Sequence, residues 1–345
     1  MLRAVYPLTV LPPPFWGPCV LPKTNSSGFG ALAVLLALAT CKRQAPPGSD
    51  TVHGAELLAG AAHPSHGNHE KPMLPAQELT WDYPETELGP MRVVVLIPER
   101  EVGARLPVLL ALHGRGEALK GPEKGARGWV DDYALPVAIE RLHRPPITPD
   151  DLRGFVDEAR LSRLNESLEH QPYQGLIIVC PYTPDILPAD EPLDKAQGLA
   201  RFVVDTVLPR AYRETPAIGT PATTGIDGVS LGGRAALGIG LLRPKAFAVV
   251  ASMQAAIRVD NSDDILRHAR DAKALKPDLF VHLLTSSDDY FITAIQTLAP
   301  ALSSAGIRTE LVTVPGPHDY EFNRGPGAYE MLMFHDRVLR GQPEF

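Results

Sequence analysis

A chain of 345 residues, 44% hydrophobic and 21% charged, has the make-up of a globular protein large enough for one sizeable α/β domain or two small ones. Its 33 basic residues face 40 acidic ones, a net charge of -7 with no basic block or stripe, which argues against a nucleic-acid binder needing clustered Lys and Arg. Cys19, Cys41 and Cys180 form neither a C-x-x-C pair nor a zinc spacing, so no disulfide framework and no metal site is expected.

The first element in chain order is an apolar run at 29–39, short for a bilayer span and the right size for the core of a signal peptide. It ends in Leu38-Ala39-Thr40-Cys41, which resembles a bacterial lipobox, with Thr40 where Gly or Ala is more usual. Residues 1–41 are therefore read as a signal peptide with Cys41 lipidated, giving an exported protein anchored at the cell envelope. The alternatives are plain export to a periplasmic or secreted state, and a core helix.

Residues 42–77 are rich in Pro, Gly, His and Ala without periodicity and read as a flexible linker. His63, His66 and His69 recur there at intervals of three. With no cysteine or carboxylate cluster beside them and nothing to pre-organise a site, they are read as solvated linker residues rather than metal ligands.

From residue 78 to 345 short β-branched apolar runs alternate with helical stretches, the pattern of a mostly parallel sheet covered on both faces. Strands are predicted at 79–83, 91–97, 107–113, 175–180, 223–229, 246–251, 278–285 and 308–314. Helices are predicted at 134–142, 194–212, 231–242, 265–272, 290–305 and 327–340. About sixty residues separate the third strand from the fourth, more than a simple crossover needs. Within them, 149–171 reads as charged amphipathic helix, and the 140–172 insertion is taken as a cap or wall of a substrate site.

The chemistry centres on Gly228-Val229-Ser230-Leu231-Gly232, a G-x-S-x-G pentapeptide between a predicted strand and a small-residue helix. A serine on such a tight turn stands clear of the sheet edge, with glycines two residues either side permitting the fold-back. The N–H of Leu231, at the helix start, can then bind a developing oxyanion. A hydroxyl needs a base, and the base an orienting carboxylate, in the chain order serine, acid, histidine. His318 follows the last predicted strand in Val314-Pro315-Gly316-Pro317-His318-Asp319 and fits the base. Asp288 and Asp289 close the preceding strand; Asp289 is preferred as the acid, and Asp319 is the weakest choice because it adjoins His318 in sequence. Leu112-His113-Gly114-Arg115-Gly116 offers a second oxyanion donor, the Arg115 N–H ahead of that of Gly114. His113 is read as a structural hydrogen-bonding residue.

His113-Gly114-x-Gly116, the serine pentapeptide with Gly233, the Ser-Asp-Asp run and Pro315-Gly316-x-His318-Asp319 together resemble the α/β-hydrolase superfamily. The chain looks like its esterase group of enterochelin esterases, feruloyl esterases, S-formylglutathione hydrolase and mycolyltransferases. Leu208-Pro209-Arg210-Ala211-Tyr212-Arg213 and Pro244-x-x-Phe247 look like that group as well, and the likeness covers about 79–340. It implies an α/β-hydrolase fold and a serine hydrolase of carboxylic esters with Ser230, an Asp at 288 or 289, and His318. The substrate would be a small-molecule ester, with no cofactor. A peptidase or acyltransferase with the same three residues, or a non-catalytic binding protein on the scaffold, are the alternatives.

Overall fold

A strand buried on both faces reads as a near-continuous apolar run, and five consecutive residues of Val108–Leu112 and of Ile177–Pro181 are buried. Alternate side chains go to opposite cores: Val108, Leu110 and Leu112 to one, Leu109 and Ala111 to the other. The computed structural model describes residues 73–74, 76–187 and 191–342. The expected signal segment with Cys41, and the linker to residue 72 with His63, His66 and His69, lie outside the described residues.

Eight strands form one sheet: β1 (Gln77–Tyr83), β2 (Met91–Ile97), β3 (Val108–Leu112), β4 (Ile177–Pro181), β5 (Thr224–Gly228), β6 (Val249–Met253), β7 (Phe280–Asp288) and β8 (Arg308–Pro317). Their order in space is β1-β2-β4-β3-β5-β6-β7-β8. β2 is antiparallel to β1 and β4, and β3 to β8 are parallel. The strand order turns back at β3, which lies between β4 and β5. In open α/β sheets such a reversal leaves a crevice beyond the carboxyl ends of the strands, here beyond β3 and β5.

Helices cover both faces. One core takes apolar side chains from α4 (Leu231–Leu242), α5 (Ser262–Leu275), α6 (Ile292–Ser304) and the helical segment 193–214. The other takes those of α2 (Leu135–Leu142), α3 (Glu158–His170) and α7 (Ala328–Val338). Leu231 to Leu241 of α4 are all buried, and a Cβ on Gly233 would lie 2.7 Å from the Met253 carbonyl oxygen, so small residues bring this helix onto β6. Among the described residues no helix is long and apolar enough to cross a membrane.

Several predicted boundaries shift. The helix expected over 149–171 begins at Glu158, where the Asp157 side chain caps it by accepting from Arg160 N at 2.7 Å. The helix expected at 194–212 is interrupted by a π-helical turn at Phe202–Val207. β8 runs three residues past its predicted end, to Pro317, with a break in register between Val314 and Pro317. Within the insertion, α3 is tied to α7: Arg160 pairs with Glu330, and Arg337 donates to Ser167. The stretch before α3 reaches the His318 loop instead, since a Cβ on Gly316 would lie 3.1 Å from the Phe155 ring.

Candidate active site

Ser230 is the residue between β5 and α4 and has φ 58° and ψ -116°. That backbone is rare for a residue with a side chain and costs about 1–3 kcal/mol, so it persists only where the surroundings enforce it. Here Val229 N donates to Leu112 O at 3.1 Å, Ser230 N to Met253 O at 3.0 Å, and Ala256 N to Ser230 O at 2.9 Å. The turn is thereby fastened to β3 on one side and to the end of β6 on the other. The flanking glycines are dictated by contact: a Cβ on Gly228 would lie 2.5 Å from the Gly232 carbonyl, and one on Gly232 would strike the Leu112 carbonyl oxygen.

His318 and Asp289 come together. The His318 Nδ1 lies 2.7 Å from Asp289 Oδ1, the side chain of Asp289 is fully buried and that of His318 is 15% exposed. Asp289 also accepts from Thr285 Oγ1 at 2.7 Å and from Phe291 N at 3.0 Å, so three donors aim its carboxylate. A carboxylate is acceptor-only, so the His318 Nδ1 carries the hydrogen and Nε2 is left with its lone pair. The rings of Tyr290 and Phe291 lie 5.4 Å from that of His318 and hem it in.

The other acids stand elsewhere. Asp288 is exposed and accepts from Ser287 Oγ at 3.2 Å. Asp319 caps the short helix Tyr320–Phe322, accepting from Phe322 N at 2.9 Å.

The loop after β3 touches the serine turn, because a Cβ on Gly114 would lie 3.8 Å from the Ser230 Cβ. Arg115 opens α1 (Arg115–Ala118) as Leu231 opens α4, and the first amides of a helix have no acceptor inside it. The Gly114 N–H differs, donating to the Tyr133 hydroxyl at 3.0 Å. Arg115 points its guanidinium at Asp185, 2.8 Å away. His113 is buried, its Nδ1 donating to Gly114 O and its Nε2 accepting from Thr183 N, both at 2.9 Å. Burial pushes its pKa down to about 4, so it stays neutral and holds the loop.

Gln254 is a member of this site that sequence reasoning missed. It follows β6 at φ 44°, is fully buried, and donates through Nε2 to Ser286 Oγ at 2.6 Å and to Pro317 O at 2.9 Å. One amide thus joins the ends of β6, β7 and β8 beside His318. A lone glutamine after a strand has no local sequence mark. Among the described residues no group of three or more His, Cys, Asp or Glu side chains is placed to hold a metal ion.

No protein-family profile and no curated protein sequence matches the chain. Solved structures do. A ferulic acid esterase superposes with a TM-score of 0.54 at 19% identity, over 76% of this chain and 99% of its own. The S-formylglutathione hydrolase of Staphylococcus aureus gives 0.52 at 15% identity, again over 76% and 99%. A fluorophosphonate-binding serine hydrolase of Staphylococcus aureus gives 0.54 at 15% identity with the same coverage. At these identities the likeness speaks for architecture, and it agrees with the strand order, the single antiparallel strand β2 between its neighbours and the strained serine after β5: the chain has an α/β-hydrolase fold.

Proposed function

We propose that the protein is a serine hydrolase of carboxylic esters, with Ser230 as nucleophile, His318 as base and Asp289 as the acid that orients it. The observation that carries this reading is the conjunction of a strained serine turn with a buried, triply hydrogen-bonded aspartate on the Nδ1 side of a partly exposed histidine. His318 Nε2 takes the Ser230 proton as the hydroxyl attacks the ester carbonyl. The Leu231 and Arg115 amides receive the negative charge that develops on the carbonyl oxygen. The same imidazolium returns the proton to the leaving alcohol, and water, deprotonated by His318, frees the acyl group. Asp289 keeps the ring in the tautomer that each step needs, and stabilises its charged form.

The substrate in this reading is a small-molecule ester, in keeping with the ester hydrolases among the structural neighbours. We also propose export with Cys41 lipidated, supported by the apolar run and the Leu38–Cys41 pattern. A mature mass beginning at a lipid-modified Cys41 tests this.

The hydrolase reading is tested with p-nitrophenyl acetate and a fluorophosphonate probe. The protein should release p-nitrophenol and label at Ser230, and Ser230→Ala should lose both, turnover falling by about 10⁵-fold or more. A folded protein that neither turns over nor labels would sink the reading.

A further inference from the structure

Directly beside the serine turn lies a polar cluster, with Glu117 and Tyr133 buried and Tyr320 40% exposed at its outer end, that the reaction as described does not use. Glu117 ends its side chain there at 1% exposure, an expensive place for a carboxylate unless its oxygens are satisfied. Each is. The Tyr133 hydroxyl donates to Oε2 in a short hydrogen bond, and the Tyr320 hydroxyl donates to Oε1 at 2.7 Å. Lys120 supplies the countercharge, its Nζ 3.5 Å from Oε1 and 2.7 Å from Asp132. Both phenols stay protonated as donors: burial, then Glu117, pushes Tyr320 up to about 12 and raises Tyr133 well above its ordinary value.

The two tyrosines come from different parts of the site. Tyr133 accepts the Gly114 N–H at 3.0 Å and so fixes the loop whose next amide is that of Arg115. Tyr320 stands two residues after His318 and lies over the same loop, where a Cβ on Gly116 would come within 2.6 Å of its hydroxyl oxygen. Glu117 and Tyr320 are 203 residues apart in the chain. The path Gly114 N–H, Tyr133, Glu117, Tyr320 therefore connects the oxyanion loop to the histidine loop without passing through Ser230 or Asp289.

Resting on the hydrolase reading, we infer that Glu117 is a positioning residue: with Tyr133 and Tyr320 it locks the Arg115 amide and His318 into one mutual geometry. Alignment of this kind acts on the transition state more than on substrate capture, because the oxyanion donor and the base must both be in place as the proton moves.

Tyr320→Phe removes the hydroxyl that bridges to Glu117 and leaves the Tyr133 clamp intact. For p-nitrophenyl acetate, kcat should fall about ten-fold with KM within about two-fold. The rate of fluorophosphonate labelling at Ser230 should fall in parallel, and the melting temperature should move by no more than about 2 °C. Glu117→Gln should give a similar loss of kcat, and the double variant should be no slower than the slower single one, since both changes cut the same connection. Wild-type kcat in Tyr320→Phe, or losses that multiply in the double variant, would overturn the inference. Should Glu117→Gln fail to fold, Tyr320→Phe decides alone. A wild type that neither hydrolyses nor labels defeats the hydrolase reading itself, whereas an active wild type with an unaffected Tyr320→Phe defeats only the lock.

Discussion

Among the described residues two aspartate–histidine pairs are hydrogen-bonded, and they differ in how far the histidine is open to solvent. Asp289 and His318 meet at the carboxyl edge of the sheet, with the histidine ring 15% exposed. Asp227 and His335 meet at 3.2 Å beneath it, between β5 and α7, with the histidine fully buried. The buried ring is packed against β5, since a Cβ on Gly225 would lie 2.5 Å from its Nδ1. Burial lowers the pKa of His335 against the opposing pull of Asp227. The two pairs join the same residue types, through Nδ1 at 2.7 Å in the outer pair and Nε2 at 3.2 Å in the inner one, and they differ above all in exposure of the ring. Asp227 also accepts the Gly228 N–H at 2.7 Å, within the strand that leads into Ser230.

The comparison breaks most sharply at Asp289. Asp289→Asn keeps the shape of the side chain but lets His318 take the wrong tautomer, so kcat/KM for p-nitrophenyl acetate should drop by about 10³–10⁴-fold. Asp288→Asn, at an exposed site, should change it less than about two-fold. Equal losses in the two would remove Asp289 from its role.

The inner pair should answer in stability. His335→Ala leaves the Asp227 carboxylate buried without its partner and opens a cavity, so urea unfolding should show a loss of about 3 kcal/mol. Turnover of the folded fraction should stay within about ten-fold of wild type. A loss of kcat as large as that of Asp289→Asn, in a protein of normal stability, would erase the distinction between the pairs.

The smallest effect belongs to another buried histidine, His113. His113 titrates near 4 in the folded protein and near 6.5 when unfolded, so below about 6.5 the unfolded chain takes up a proton that the folded chain refuses. Stability contributed by the neutral ring is complete above pH 6.5 and drains away as pH falls towards 4. At about 1.4 kcal/mol per pH unit, this amounts to about 3 kcal/mol of acid sensitivity at most. Urea midpoints measured from pH 7 to pH 4 should fall less steeply in His113→Gln; parallel slopes would show that other groups govern the acid limb.

Much of the outer site could be read in the sequence because its parts are local. The serine turn is written in five consecutive residues, and its glycines are required by contacts within the same turn and with β3. Asp289 and His318 each follow a strand whose apolar run is visible. Of the two neighbouring acids, Asp289 turns inward, where Thr285 and Phe291 donate to it, and Asp288 is exposed. What escaped was long-range. Gln254 reaches Pro317 across 63 positions, and Glu117 reaches Tyr320 across 203, with nothing nearby to announce either contact. The insertion shows both cases. Its helix was visible as a charged amphipathic stretch, but the ion pair from Arg160 to Glu330 that carries it onto α7 spans 170 positions.

β8 is an edge strand, hydrogen-bonded among the described residues to β7 alone, and eight of its ten residues are no more than partly covered. Ser230 follows β5, which has a strand on either side. The proposed base is therefore mounted on the rim of the sheet and the proposed nucleophile near its centre, where local stabilities differ. Mild heating that frays the rim should carry His318 away while the serine turn still stands. Esterase activity should then fade at temperatures below the global melting seen by near-ultraviolet circular dichroism, and return on cooling.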